Sequence, residues 1–136
     1  MSLSDCHLVE LQRITDDRGT LGVAEVGRHV PFVVRRAFWL VDVPRDRSRG
    51  AHAHRTLEEF VVALAGSVEV TVDDGRERAT YRLAQGSPGL YVPAMIWVEM
   101  RSFSPGAVLM VLCSAPYDEA DYLRDRAAYL RAQGLA

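Results

Sequence analysis

Apolar and polar residues alternate along most of this chain in short runs, the period-two pattern of half-buried strands. The clearest is Val68-Glu69-Val70-Thr71-Val72-Asp73, after which Asp74-Gly75 predicts a tight hairpin turn into a second strand over 76–83. Further β-rich runs lie at 8–14, 20–26, 33–43, 59–64, 90–92, 96–103 and 107–113, separated by turn residues. Many short, closely spaced strands predict an all-β sandwich or barrel. Beyond Pro116 the period changes. Leu123, Ala127 and Leu130 fall at helical spacing, and the acidic run at 118–121 suits the positive end of a helix dipole. A terminal helix is therefore expected over about 118–133.

With 136 residues, 49% of them hydrophobic, the chain has the size of one domain, and no repeat or linker divides residues 1–136. A net charge of -2 and a pI near 6.1 do not fit a nucleic-acid binder. No run approaches the ~18 apolar residues of a membrane span and no signal-peptide core follows the start, so a cytoplasmic protein is expected. Cys6 and Cys113 form no metal or disulfide pattern; both are expected to be reduced, with Cys113 in the core. All sixteen basic residues are arginine. Without lysine, a Schiff base on a carbonyl substrate has no side-chain amine, which leaves acid–base or metal-assisted chemistry. Arginine suits bidentate capture of phosphate, although a chain-wide preference for arginine explains the count equally well.

The most informative chemistry lies in Arg49-Gly50-Ala51-His52-Ala53-His54, which carries two of only four histidines two residues apart. On a strand both imidazoles project from one face. Imidazole is also the side chain best suited to moving protons near neutral pH. His52, His54, Glu59 and Gly66 follow the order of a metal-binding cupin motif, but the histidine of that motif's second half is missing. Gly86, Pro93 and Trp97-Val98-Glu99 fill the corresponding region, and His7 and His29 lie upstream. Two readings stay open beside acid–base work. One is a facial triad of His52, His54 and Glu59 with open metal positions; the other is a pair of histidines that fills a barrel.

The segments Asp17-Arg18-Gly19-Thr20-Leu21, Pro31-Phe32, Arg49-Gly50-Ala51-His52-Ala53-His54, Asp73-Asp74-Gly75, Gly89-Leu90-Tyr91-Val92 and Tyr117-Asp118-Glu119-Ala120-Asp121-Tyr122 span nearly the whole chain. Their order and spacing resemble the sugar 3,4-ketoisomerases of the cupin superfamily, which act on dTDP-4-keto-6-deoxyglucose. The resemblance implies a cupin-type jelly-roll β-barrel with a short C-terminal α-helix, a homodimer, and no metal or cofactor. It implies conversion of a dTDP-linked 4-keto sugar to its 3-keto isomer through an enediol. His52, matching the first histidine of the motif, is implied as the carbon base, with His54 as its partner. Imidazoles this close titrate as a coupled pair. The family's catalytic tyrosine on the preceding strand falls at Phe38, which has no proton to give. The acid is then expected from His54, a water, Tyr91 or Tyr117. The same departure motivates an alternative, a cupin-like sugar-nucleotide binding module without turnover, beside the metal-dependent cupin enzyme.

A dTDP sugar brings a pyrophosphate. Arg49, beside the histidine strand, and Arg36, on the strand face of Phe38, are the expected contacts, with surface or structural pairing as the alternative. Glu59 is expected to orient a histidine or hydrogen-bond a sugar hydroxyl. Trp97 is expected to flank the pocket or stack on thymine, unless it packs in the core. Arg18-Gly19 reads as a turn. Neither nucleic acid nor a membrane is an expected partner.

Overall fold

The computed structural model describes residues 2–135. Its strands are β1 His7–Val9, β2 Gln12–Asp16, β3 Gly19–Val23, β4 Arg36–Val41, β5 Arg49–His54, β6 Glu59–Ala65, β7 Ser67–Asp73, β8 Arg78–Ala84, β9 Gly89–Val92, β10 Trp97–Arg101, β11 Val108–Cys113 and β12 Tyr122–Leu123, followed by helix α1 Arg126–Ala132. One five-stranded sheet has the order β1-β9-β6-β11-β4 and the other β12-β5-β10-β7-β8, while β2 and β3 form a separate hairpin. Every ladder is antiparallel. The non-consecutive neighbours are the long crossovers of a jelly roll.

Alternation explains the packing. Val68, Val70 and Val72 of β7 meet Val61, Leu109 and Val111 of the facing sheet in one apolar core. β6 is the exception, because Glu59 to Ala63 are all buried. Phe60 and Val62 point away from the sandwich interior and are covered by Val30 and Phe32, which is why this strand reads as an unbroken apolar run.

The structure corrects several boundaries. The run at 8–14 is broken between β1 and β2, and the run at 33–43 becomes a strand only at Arg36. The turn after β7 is four residues long rather than two: Asp73 pairs with Arg78, and the Asp74 carboxylate accepts from the amides of Arg76 and Glu77. The expected helix at 118–133 shrinks to α1, capped by Asp125 rather than by the acidic run. Asp118 instead caps a single 3-10 turn, Glu119–Asp121, and Tyr122–Leu123 then pair with β5. The physical reason is the open edge of β5, whose unpaired backbone groups take β12 as a partner. Leu123 is buried from this position beside Ala53, Trp97 and Tyr129.

Candidate active site

Gly50 and Ala51 set the aim of the histidine strand. Both have positive φ, 86° and 61°, and the register with β10 slips there, so that Val98 faces His52 while Glu99 faces Gly50. This is a β-bulge, with Ala51 as the extra residue. A Cβ on Gly50 would sit 2.8 Å from the Val98 carbonyl oxygen, so only glycine fits without a backbone shift. Downstream of the bulge, His52 and His54 share one face, with ring centroids 5.0 Å apart and nearly perpendicular planes.

A cavity of about 510 Å³ opens between the two sheets at this end. β4 contributes Arg36, Phe38 and Leu40, β5 contributes Arg49, Gly50 and His52, and Glu59, Met100, Tyr122 and Arg124 complete the wall with Ser48. Strand alternation brings Arg36 and Phe38 to the inner side of β4 and turns Trp39 outward, where it is 65% exposed. His54 does not reach the wall. It is buried behind His52 and Tyr122, its ring 4.3 Å from the Tyr122 ring.

Electrostatics favour the neutral form of both imidazoles. Burial lowers the His52 pKa below 6.5, reinforced by the Arg124 charge and opposed by the Gly50 carbonyl and Glu119. Burial and His52 lower His54 to about 4, against the pull of Asp121. A neutral imidazole at the wall is a base ready to accept a proton. Glu59 is enclosed, and burial pushes its carboxyl up to about 7 despite the nearby Arg36. The Arg36 guanidinium is buried enough to disfavour its charge, but the Tyr122 hydroxyl and the Cys113 thiol hold its pKa above the ordinary value. Its Nη2 lies 3.8 Å from the Cys113 sulfur. Arg124 lies 4.1 Å above the Tyr122 ring and is fixed by two hydrogen bonds to Glu119, 2.8 and 3.1 Å. Three arginines against one enclosed carboxyl suit an anionic ligand.

Of the residues expected from the sequence, His52, Arg36, Phe38, Arg49 and Glu59 line the cavity. Trp97 does not. It is buried in the cluster with Tyr129, ring centroids 5.4 Å apart, because its position on β10 faces α1. Neither tyrosine expected as an acid lines the cavity: Tyr91 donates to Glu58 at 2.5 Å, and Tyr117, though its ring lies 5.6 Å from that of Tyr122 and 5.5 Å from the Arg36 guanidinium, is 58% exposed with its hydroxyl donated to Glu119. Among the described residues, no group of three or more His, Cys, Asp or Glu side chains is placed to hold a metal, so His52, His54 and Glu59 do not form a facial triad. Sequence reasoning missed Tyr122 and Arg124, along with Leu40, Ser48 and Met100 of the same wall. A helix drawn through 118–133 hides the first two, whereas β12 pairs Tyr122 directly with His54.

The family model described as FdtA: WxcM-like, C-terminal, matches residues 4–134. A TDP-4-oxo-6-deoxy-alpha-D-glucose-3,4-oxoisomerase from Aneurinibacillus thermoaerophilus is 39% identical over 117 residues, covering 86% of this chain and 84% of the relative. A crystal structure of a 3,4-ketoisomerase from Helicobacter canadensis is 36% identical with a TM-score of 0.92, covering 96% of this chain and 98% of that one. A mutant of the 3,4-ketoisomerase QdtA from Thermoanaerobacterium thermosaccharolyticum, in complex with TDP-4-keto-6-deoxyglucose, is 32% identical with a TM-score of 0.93, covering 97% and 96%. The match runs across both sheets, the histidine strand and the terminal helix, and the chain belongs to the FdtA, WxcM-like family.

Proposed function

We propose that this chain is an isomerase, a nucleotide-sugar 3,4-ketoisomerase that converts TDP-4-keto-6-deoxyglucose to a TDP-3-keto-6-deoxyhexose. The observation that carries this reading is the His52 imidazole on the wall of an arginine-lined cavity, in a chain 39% identical to a named 3,4-oxoisomerase. Moving the ketone requires a base that takes the C3 proton, so that the C3–H electrons form the C3–C4 double bond and the C4 oxygen gains a proton. The enediol then loses its O3 proton as C4 gains one. In this reading His52 is the carbon base, and His54 fixes its ring from behind. Arg36 and Arg49 take the pyrophosphate, Glu59 hydrogen-bonds a sugar hydroxyl, and Phe38 packs against the sugar.

Two further properties belong to the same reading. A homodimer is supported by the outer face of the β4-bearing sheet, where Trp39, Val41 and Leu64 are exposed apolar residues and Met110 lies beside Trp39. A cytoplasmic location is supported by the free thiols of Cys6 and Cys113.

The test is incubation with TDP-4-keto-6-deoxyglucose in D2O, followed by NMR of the sugar ring. Formation of the 3-keto sugar with deuterium at C4, or recovery of the 4-keto sugar with deuterium at C3, is expected. Absence of both overturns the isomerase, and TDP binding without exchange would select the binding module that Phe38 motivates. His52→Asn is expected to abolish exchange while TDP still binds.

A further inference from the structure

We propose that Tyr122 is the proton donor and acceptor at the sugar oxygens, working beside His52 in the cavity. This rests on the isomerase reading, which requires that one oxygen gain a proton while its neighbour loses one.

The cavity wall offers few groups for that task. Phe38, Leu40 and Met100 have no exchangeable proton, the Ser48 hydroxyl is a far weaker acid than a phenol, and guanidinium groups such as those of Arg36, Arg49 and Arg124 do not give up a proton in proteins. His54 is shielded from the cavity by the rings of His52 and Tyr122. Tyr122 is the tyrosine on this wall, and its ring centroid is 5.0 Å from that of His52. The two rings are therefore neighbours on one wall, where a base and a phenol can serve adjacent positions of one sugar. The Arg36 guanidinium faces the Tyr122 hydroxyl, so the negative charge left when the phenol gives up its proton has a fixed cation beside it. The ring itself is held between the two imidazoles and the Arg124 guanidinium, which limits its motion.

The proton accounting closes on two groups. In the first half, His52 takes the C3 proton and Tyr122 gives its own to O4, leaving a neutral enediol, an imidazolium and a phenolate. In the second half, the phenolate takes the O3 proton and the imidazolium gives its proton to C4. Both side chains return to their starting forms, and no outside acid or base is consumed. Glu59 is the competing donor. It lies on β6 beside Arg36 and Cys113, away from the imidazole pair.

The experiment compares the wild type, Tyr122→Phe and Glu59→Gln on TDP-4-keto-6-deoxyglucose. Tyr122→Phe is expected to lower kcat by about 100-fold or more while KM and TDP affinity change less than about threefold. Retention of kcat within about threefold overturns the proposal, as does an equal loss of kcat in Glu59→Gln alone. If Tyr122→Phe does not fold, chain-wide 3-fluorotyrosine keeps the test alive. More acidic phenols should move the alkaline limb of the kcat profile to lower pH, and an unmoved limb overturns the proposal. A wild type that neither converts the sugar nor exchanges deuterium refutes the isomerase reading itself. A wild type that turns over beside a fully active Tyr122→Phe refutes only the assignment of the acid.

Discussion

His54 Nδ1 stands 3.6 Å from the Asp121 carboxylate, just beyond hydrogen-bond range. The carboxylate is already committed to the Thr56 amide and hydroxyl, at 2.9 and 2.7 Å, and to the Leu57 amide at 3.1 Å. Asp121 therefore clasps the turn after β5, and burial decides the state of His54. With a folded pKa of about 4 against 6.5, His54 binds its proton later in the folded state than in the unfolded chain as pH falls. Its contribution to stability is complete above about 6.5 and is lost as pH falls toward 4, up to about 3 kcal/mol. An NMR titration should show the His54 ring neutral through the range where free histidine titrates. Titration near 6.5 would mean that the ring is solvated.

Glu59 has the opposite sign. Its folded pKa of about 7 exceeds 4.5, so the folded chain holds a proton there that the unfolded chain has released. The stability linked to that proton is complete below about 4.5 and is lost as pH rises through 7. Glu59→Gln is expected to be the more stable chain at about pH 8, by up to about 3 kcal/mol, and to match the wild type below about pH 4.5. Denaturant midpoints at both pH values test this. A constant difference would place the effect in packing instead.

Gly50→Ala puts a Cβ 2.8 Å from the Val98 carbonyl oxygen at a φ of 86°. The expected cost is about 1–3 kcal/mol of stability. Because the bulge aims His52, kcat should fall as well. Full activity in a destabilised variant would show that the bulge only closes the sheet.

Trp39→Glu places a charge in the middle of the exposed apolar stripe on β4, where the indole is 65% exposed. Sedimentation should show the wild type at twice the chain mass and this variant as a monomer. A dimeric variant would locate the interface elsewhere, with the apolar Ile14–Leu21 pair of the β2–β3 hairpin the next face to alter.

Much of this was readable along the chain because it depends on local pattern. Alternation at 67–73 and 107–113 located β7 and β11, since one face of each is apolar and packs in the core, although Thr71 and Asp73 on the other face of β7 are buried as well. His52, Arg36 with Phe38, and Glu59 share the cavity because strand parity is written in the sequence, whereas His54, on the same face as His52, is buried behind it. Trp97 was misplaced by the same logic. Parity tells which residues share a face but not what covers that face, and here α1 covers it with Tyr129.

By itself, then, the sequence determined the strand repertoire, the faces those strands present, the neutral-pH chemistry available and, through its ordered motifs, the family. What stands against what was decided only by the tertiary structure. The helical spacing of Leu123, Ala127 and Leu130 was genuine, but pairing with the unfilled edge of β5 outweighed it and carried Tyr122 to the imidazoles. Helix propensity is a sum of small local terms. An open sheet edge beside an apolar cluster offers backbone hydrogen bonds and burial together, and that combination is visible only once the chain has folded.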